Sequence, residues 1–290
     1  MLKNLSRALK LTNLALIVSA IAFSMTACSE SGQNQTQEGT LGEIKERDKI
    51  IIGVKTDYVP FGFINSDGNN AGLEIDIARY LTKEVLGSED KIEFVPVVAA
   101  NRIEFLQQGK VDLLIATVTD NEERRKVIDF SENYYSSGTG LLTRKNTDVS
   151  SWEQLKGKKV CGIQGSFYNK DLTEMGLALV NFANTAEAYK ALQDGRCVGF
   201  AYDDAALAGK LQEPEWSKDW HQPLPVILSQ PWGMGVRKNE PAFLEAVNDA
   251  ILKMEAEGFI IEGEKKWKIP PTKYAEERQE RAEKMLQEKG

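Results

Sequence analysis

One short phrase occurs twice in this chain of 290 residues. Leu106-Gln107-Gln108-Gly109-Lys110 leads into an apolar run over 111–116, and Leu192-Gln193-Asp194-Gly195-Arg196 leads into a second over 197–201. Each copy predicts a helix stopped by glycine and a basic residue, then a buried strand. The copies keep register, so Thr117 and Asp203 occupy equivalent places at the strand ends. A chain that repeats one helix–strand unit is constrained to two similar α/β lobes. In such lobes ligands sit beyond the carboxyl ends of the strands.

The surrounding pattern agrees. Residues 49–54 (KIIIGV) read as a buried strand, and 72–86 as a helix with Leu73, Ile77, Leu81 and Val85 on one face. Strand 92–97, helix 101–108 and strand 111–116 follow. The alternation restarts after Lys145 with a short helix 151–155, strand 159–163, a helix from Phe167, strand 179–182, helix 186–193 and strand 197–202. Strands alternating with helices predict parallel βαβ units. Extended segments 140–144 and 233–237 have a different look and are expected to be two crossings between lobes. Helices over 240–257 and near 259–267 are expected to return to the first lobe, and the charged tail from Thr272 to be a solvated helix. The expected fold is α/β and two-lobed, each lobe a mainly parallel sheet flanked by helices, joined by two extended hinge crossings. Lobe 1 is expected over 44–139 and 232–290, lobe 2 over 140–231.

Ahead of the first lobe, Lys3, Arg7 and Lys10 precede an apolar stretch at 14–23, too short to span a bilayer comfortably. A basic start, a short apolar core and small residues before Cys28 describe an export signal over 1–27. Ser24-Met25-Thr26-Ala27-Cys28 also resembles a bacterial lipobox, which implies that Cys28 is the lipidated first residue of the mature chain; an ordinary signal cut elsewhere is the alternative. Residues 29–39 carry no apolar side chain, so 28–43 is expected to be a flexible tether. Losing the leader removes three cations and no acid, taking the net charge from −7 to −10. So acidic a body argues against nucleic acid as a partner. With Cys28 assigned to lipid, Cys161 and Cys197 remain, and in an exported protein such a pair predicts a disulfide over two free buried thiols.

Catalytic signatures are scarce. The single histidine, His221, lies in a Pro-rich loop, and no CxxC, HExxH, P-loop or GxGxxG motif occurs, so no metal or cofactor is expected. Asp203 and Asp204 are adjacent at a strand-to-helix turn, where one is expected to serve as an N-cap. The segment 117–124 (TVTDNEER) is more telling. Thr117 and Thr119 offer hydroxyls on alternate positions, and Arg124 offers a planar fork matched to a carboxylate. A free amino acid needs its α-carboxylate held in this way and an anion set against its ammonium. Asp203 supplies that anion from the equivalent turn of the other lobe.

Six blocks of the chain resemble the periplasmic solute-binding proteins of polar amino-acid ABC transporters, solute-binding family 3. They are GVKTDYVPFGF (53–63), GLEIDIARYL (72–81), the long run 101–131, LKGKKVCGIQGS (155–166), YDDAALAG (202–209) and PWGMGVRKNEP (231–241). The resemblance spans about residues 44–270 and implies a type II periplasmic-binding-protein fold closing on one amino acid. It implies that Thr117, Thr119 and Arg124 grip the α-carboxylate, Asp203 the ammonium, that Tyr58 covers the ligand and that Gly165-Ser166 contacts it. Phe167 departs from the pattern, since many relatives carry a second hydroxyl there. Lys55 and Arg102 resemble positions that hold a distal carboxylate in the glutamate/aspartate branch. Counted with Arg124 against Asp203, they give a site of about +2 suited to L-glutamate or L-aspartate. A broad binder of neutral polar amino acids such as glutamine is the alternative.

The expected protein is therefore a monomeric receptor with no enzymatic step, held at the periplasmic or cell surface by lipid on Cys28 and serving a membrane ABC permease. A dehydratase-like enzyme on the same scaffold would need a spare acid or base in the cleft, which the sequence does not offer. A kinase-linked sensor domain lacks support from any downstream membrane-spanning segment.

Overall fold

The computed structural model describes residues 39–289. The expected leader, Cys28 and residues 29–38 of the expected tether lie outside the described residues. Helix α1 (Gly39–Arg47) takes in residues 39–43, which were expected to belong to the tether. Tertiary contacts settle this: the Thr40 amide donates to Glu240 Oε2 at 2.8 Å, and Ile44 is buried in the core.

The chain continues through β1 (Ile50–Val54), β2 (Asp57–Tyr58), β3 (Gly62–Ile64), β4 (Asn70–Ala71) and α2 (Leu73–Leu86). Then come β5 (Ile92–Pro96), α3 (Arg102–Gln107), β6 (Leu113–Ile115), α4 (Glu122–Arg125) and the long β7 (Asp129–Arg144). The second half runs β8 (Lys159–Ile163), α5 (Asn169–Glu174), β9 (Ala178–Phe182), α6 (Thr185–Gln193), β10 (Gly199–Asp203) and α7 (Asp204–Lys210). After α8 (Pro214–Asp219), β11 (Trp220–His221) and β12 (Ile227–Val236), three helices close the chain: α9 (Pro241–Ala256), α10 (Phe259–Trp267) and α11 (Lys273–Lys289).

The repeated phrase folds identically in both places. Gly109 and Gly195 adopt left-handed φ of +69° and +71°, a conformation that costs a side-chain-bearing residue. The next amides, Lys110 and Arg196, reach back to Phe105 and Ala191 carbonyls, each at 2.9 Å. The Asp112 and Val198 amides then bond Ile51 and Lys159, so strand pairing restarts at the same step in each copy. β5, β1 and β6 are parallel neighbours at one end of the sheet, and β10, β8 and β9 at the other.

β12 and β7 lie between these triplets, giving the order β5-β1-β6-β12-β7-β10-β8-β9, and they pair antiparallel with each other. The expected crossings at 140–144 and 233–237 are thus only the ends of longer strands. Buried Phe130, Tyr134, Tyr135, Trp232 and Met234 give β7 and β12 the apolar faces that extend them. Register shifts at Ile227/Gln230, Trp232/Gly233 and Gly233/Gly235 interrupt the ladder.

The core on one side packs Ile50, Ile52, Leu113 and Ile115 with Ile77 and Leu81 of α2 and Val247 and Ile251 of α9. On the other, Val160, Ile163 and Phe200 pack with Ala188 and Leu192 of α6. Cys161 of β8 and Cys197, just ahead of β10, are joined as a disulfide with Cα atoms 5.5 Å apart. Helix α11 departs from the solvated tail expected of its charge. Ala275 and Ala282 are buried, Arg278 Nε donates to the buried Glu255 at 2.8 Å, and Tyr274 donates to the Asn133 carbonyl.

Candidate ligand-binding cleft

Six of the candidate residues line one cavity between the two triplets. Lys55 leaves the end of β1, Arg102 opens α3, Thr117 and Thr119 follow β6, Ser166 follows β8, and Asp203 ends β10. This is the place the repeated unit marks, beyond the carboxyl ends of the strands. The cavity is about 20 Å³, room for about one water. An amino acid needs several times that space, so its entry requires the walls to part.

The remaining two residues bridge the walls. Tyr58, carried by the small antiparallel sheet β2-β3-β4, is buried among Phe61, Tyr202 and Trp232, and its hydroxyl donates to Asp203 Oδ2 at 2.5 Å. Arg124 stands on α4, which Asn121 caps by accepting the Arg124 amide at 2.9 Å. Its guanidinium donates to the Thr119 carbonyl at 2.9 Å and, across the cleft, to the Gly165 carbonyl at 3.2 Å. Gly165 has φ +80°, and a Cβ there would lie 2.7 Å from the Ala99 backbone, so close approach of the two walls depends on glycine. A third bridge joins the Thr185 amide to Asp57 Oδ2 at 3.0 Å and the Thr185 hydroxyl to the Asp57 carbonyl at 2.6 Å.

Three local expectations change. Thr117 is not extended but left-handed, with φ +51°, so the alternation argument that aligned its hydroxyl with that of Thr119 does not apply. The Glu74 carboxylate fixes this turn by accepting the Thr117 amide at 2.6 Å. Arg102 is buried and turned toward the backbone, donating to the Ala116 carbonyl and to the Thr117 carbonyl at 3.0 Å. Asp203 holds the N-cap position of α7, but its side chain makes no capping hydrogen bond. Asp204 instead accepts from the Ser137 hydroxyl and the Gly138 amide at 2.7 and 2.8 Å, while Asp203 turns into the cleft. Helix α5 also begins at Asn169, two residues later than expected, leaving Phe167 and Tyr168 in a turn.

Burial dominates the electrostatics. It raises the Asp203 carboxyl to about 6, against the pull of the Tyr58 hydroxyl and Arg102. Arg124 is lowered to about 9 by burial and by Arg102 beside it. Glu74 is raised to about 7 by burial, opposed by the hydroxyl of Tyr134, the Thr117 amide, Arg102 and Lys55. Asp57 behaves oppositely: burial pushes it up, but Lys55 and the Thr185 amide outweigh that and hold it below its usual range.

Sequence reasoning missed Asp57, Glu74 and Tyr168. Asp57 lies two residues beyond Lys55, and Lys55 Nζ is 3.0 Å from its Oδ1. Glu74 sits on the mostly apolar, buried face of α2, and a carboxylate in that position was a legible signal. Tyr168 lines the cavity with a buried hydroxyl that makes no hydrogen bond, next to the position where Phe167 lacks one.

Comparison with known proteins yields one family and a set of relatives. Residues 50–270 match the model of bacterial extracellular solute-binding proteins, family 3. The chain is 36% identical over 267 residues to an ABC transporter glutamine-binding protein of Bacillus subtilis, covering 89% of this chain and 97% of that one. It is 31% identical over 252 residues to an L-glutamate/L-aspartate-binding protein of Pseudomonas aeruginosa, covering 80% and 82%. Among solved structures, the solute receptor for L-cysteine of Neisseria gonorrhoeae superposes with a TM-score of 0.74 at 32% identity, covering 78% of this chain and 92% of that one.

Proposed function

The chain belongs to the bacterial extracellular solute-binding proteins of family 3, amino-acid-binding receptors of ABC transport, and from that premise we propose that its ligand is L-glutamine. One observation carries this reading: the charges gathered at the cleft balance. Lys55, Arg102 and Arg124 stand with Asp57, Glu74 and Asp203, three cations with three carboxylates. The count that favoured an acidic ligand included Asp203 alone. A zwitterion with a neutral side chain adds no net charge to such a site. A second carboxylate would find Lys55 already paired with Asp57 and Arg102 turned to backbone carbonyls with only its Nε unpaired, so its burial is poorly compensated.

In this reading Arg124 with Thr117 and Thr119 holds the α-carboxylate, and Asp203 takes the ammonium in exchange for the Tyr58 hydroxyl it now accepts. Tyr58 then covers the ligand, and Ser166 contacts it from the second wall. The lobes over 44–139 with 232–290 and over 140–231 close around it, and the ligand favours the closed state that the permease recognises. Lipid on Cys28, exposed by loss of 1–27, anchors the receptor outside the membrane.

The acidic ligands keep one specific support. With its carboxyl at about 7, Glu74 is substantially protonated at and below neutral pH, which leaves a cationic excess. Titration calorimetry at pH 7.5 with the twenty amino acids separates the readings. Glutamine is expected to bind at least tenfold more tightly than glutamate or aspartate. Tighter binding of either acid transfers the assignment to that ligand, and no heat with any amino acid removes the reading altogether.

A further inference from the structure

Asp57 lies outside the cavity lining and is absent from the residue set that the sequence marks, yet it touches both walls of the cleft. Its Oδ1 lies 3.0 Å from Lys55 Nζ, an ammonium left only 1% exposed. Its Oδ2 accepts the Thr185 amide at 3.0 Å. Thr185 is the first residue of α6, and amides of a first helical turn have no partner within their own helix. The positive end of the helix adds to the attraction. Asn184 and Glu187 complete that terminus in a reciprocal pair, with the Glu187 amide donating to Asn184 Oδ1 at 3.0 Å. The Thr185 amide is thereby left to Asp57.

Among the described residues, Lys55 has an ion-pair partner within 4.0 Å only in Asp57. A buried ammonium without that partner would demand an anion, which a ligand carboxylate entering the cavity that Lys55 lines would supply. Because one carboxylate serves both Lys55 and α6, a ligand anion that captured Lys55 would loosen the contact that joins the walls.

We propose that Asp57 is a specificity-determining positioning residue, which withdraws Lys55 from the ligand and so makes the closed cleft reject side chains bearing a second carboxylate. The inference rests on the amino-acid-binding reading above and adds the residue that decides ligand charge. It acts through Lys55, not by touching the ligand.

The test is calorimetry with L-glutamine and L-glutamate on the full chain, Asp57→Asn, and the double variant Asp57→Asn/Lys55→Gln. The quantity read is the ratio of glutamate to glutamine affinity. Asp57→Asn is expected to raise it about tenfold, and the double variant to return it to within threefold of the unsubstituted protein. A rise below threefold in Asp57→Asn overturns the proposal, as does a raised ratio that survives loss of Lys55. Should Asp57→Asn not fold, Asp57→Ser removes the same charge with a smaller side chain and must move the ratio the same way. If the unsubstituted protein prefers glutamate while Asp57→Asn still raises the ratio, the glutamine assignment falls and the role of Asp57 stands. If glutamine is preferred and the ratio does not move, only the role of Asp57 falls.

Discussion

Glu74 concentrates the tension of the site in a single carboxyl. It is fully buried, its Oε1 accepts from the Thr117 amide and the Tyr134 hydroxyl, and its Oε2 has no hydrogen-bond partner. Burial raises it from 4.5 to about 7, so between those values the folded chain holds a proton that the unfolded chain has released. By linkage, stability falls as pH rises through this window and is least burdened below 4.5. Asp203, also raised by burial, acts in the same direction. Glu74→Gln keeps an acceptor for the two donors and removes the titration. The variant is expected to gain thermal stability relative to the parent as pH climbs from about 4.5 to about 7, and parallel melting curves over that range refute the assignment. At this scale sequence reasoning picked out Arg124, Asp203 and Thr119, which the structure brings together at one cleft; their part in holding a zwitterion belongs to the proposed function. It did not pick out Asp57, because its partner on α6 is more than a hundred positions away and only the closed cleft brings them together.

Elements fared differently. Helices α2, α6, α9 and α10 and strands β1, β8 and β10 fall within about two residues of expectation at most ends, since apolar periodicity and terminal glycines are local signals. The small sheet β2-β3-β4 was not anticipated: its strands are two or three residues long, too short to show a period. Helix α1 and the packed face of α11 were missed because partners distant in sequence hold them, Glu240 for the first and Glu255 for the second. α11 also lies beyond residue 270, where the family match ends. The disulfide is the element-scale staple of the second triplet. It closes 36 residues between β8 and the start of β10, including α5, β9 and α6. On the chain-entropy account that loop contributes about 3–4 kcal/mol. Replacing both cysteines by alanine is expected to lower unfolding free energy by about that amount in urea titrations while leaving the Glu74-side cavity residues competent to bind. A loss below about 1 kcal/mol would show the bond to be dispensable.

For the whole molecule, hydrogen bonds of Tyr58 with Asp203, Arg124 with Gly165 and Asp57 with Thr185 join the two walls of the cleft. In the proposed binding mode the ligand ammonium replaces the first of these, and ligand favours the closed state by the contacts it adds to both walls. At a glutamine concentration a hundred times its Kd, linkage adds about 2.7 kcal/mol, worth roughly 5 °C in melting temperature for a chain of this size. Differential scanning calorimetry with glutamine and with lysine checks this, the basic amino acid being expected to leave the transition in place. The paired strands β7 and β12 carry a last consequence. Halves strung on two loose linkers would tumble independently and meet the ligand in many poses. Here a bulged ribbon of backbone hydrogen bonds runs between them, its register broken at Gly233 and Gly235. Such a ribbon is expected to act as a leaf spring, confining any opening of the proposed lobes to one arc.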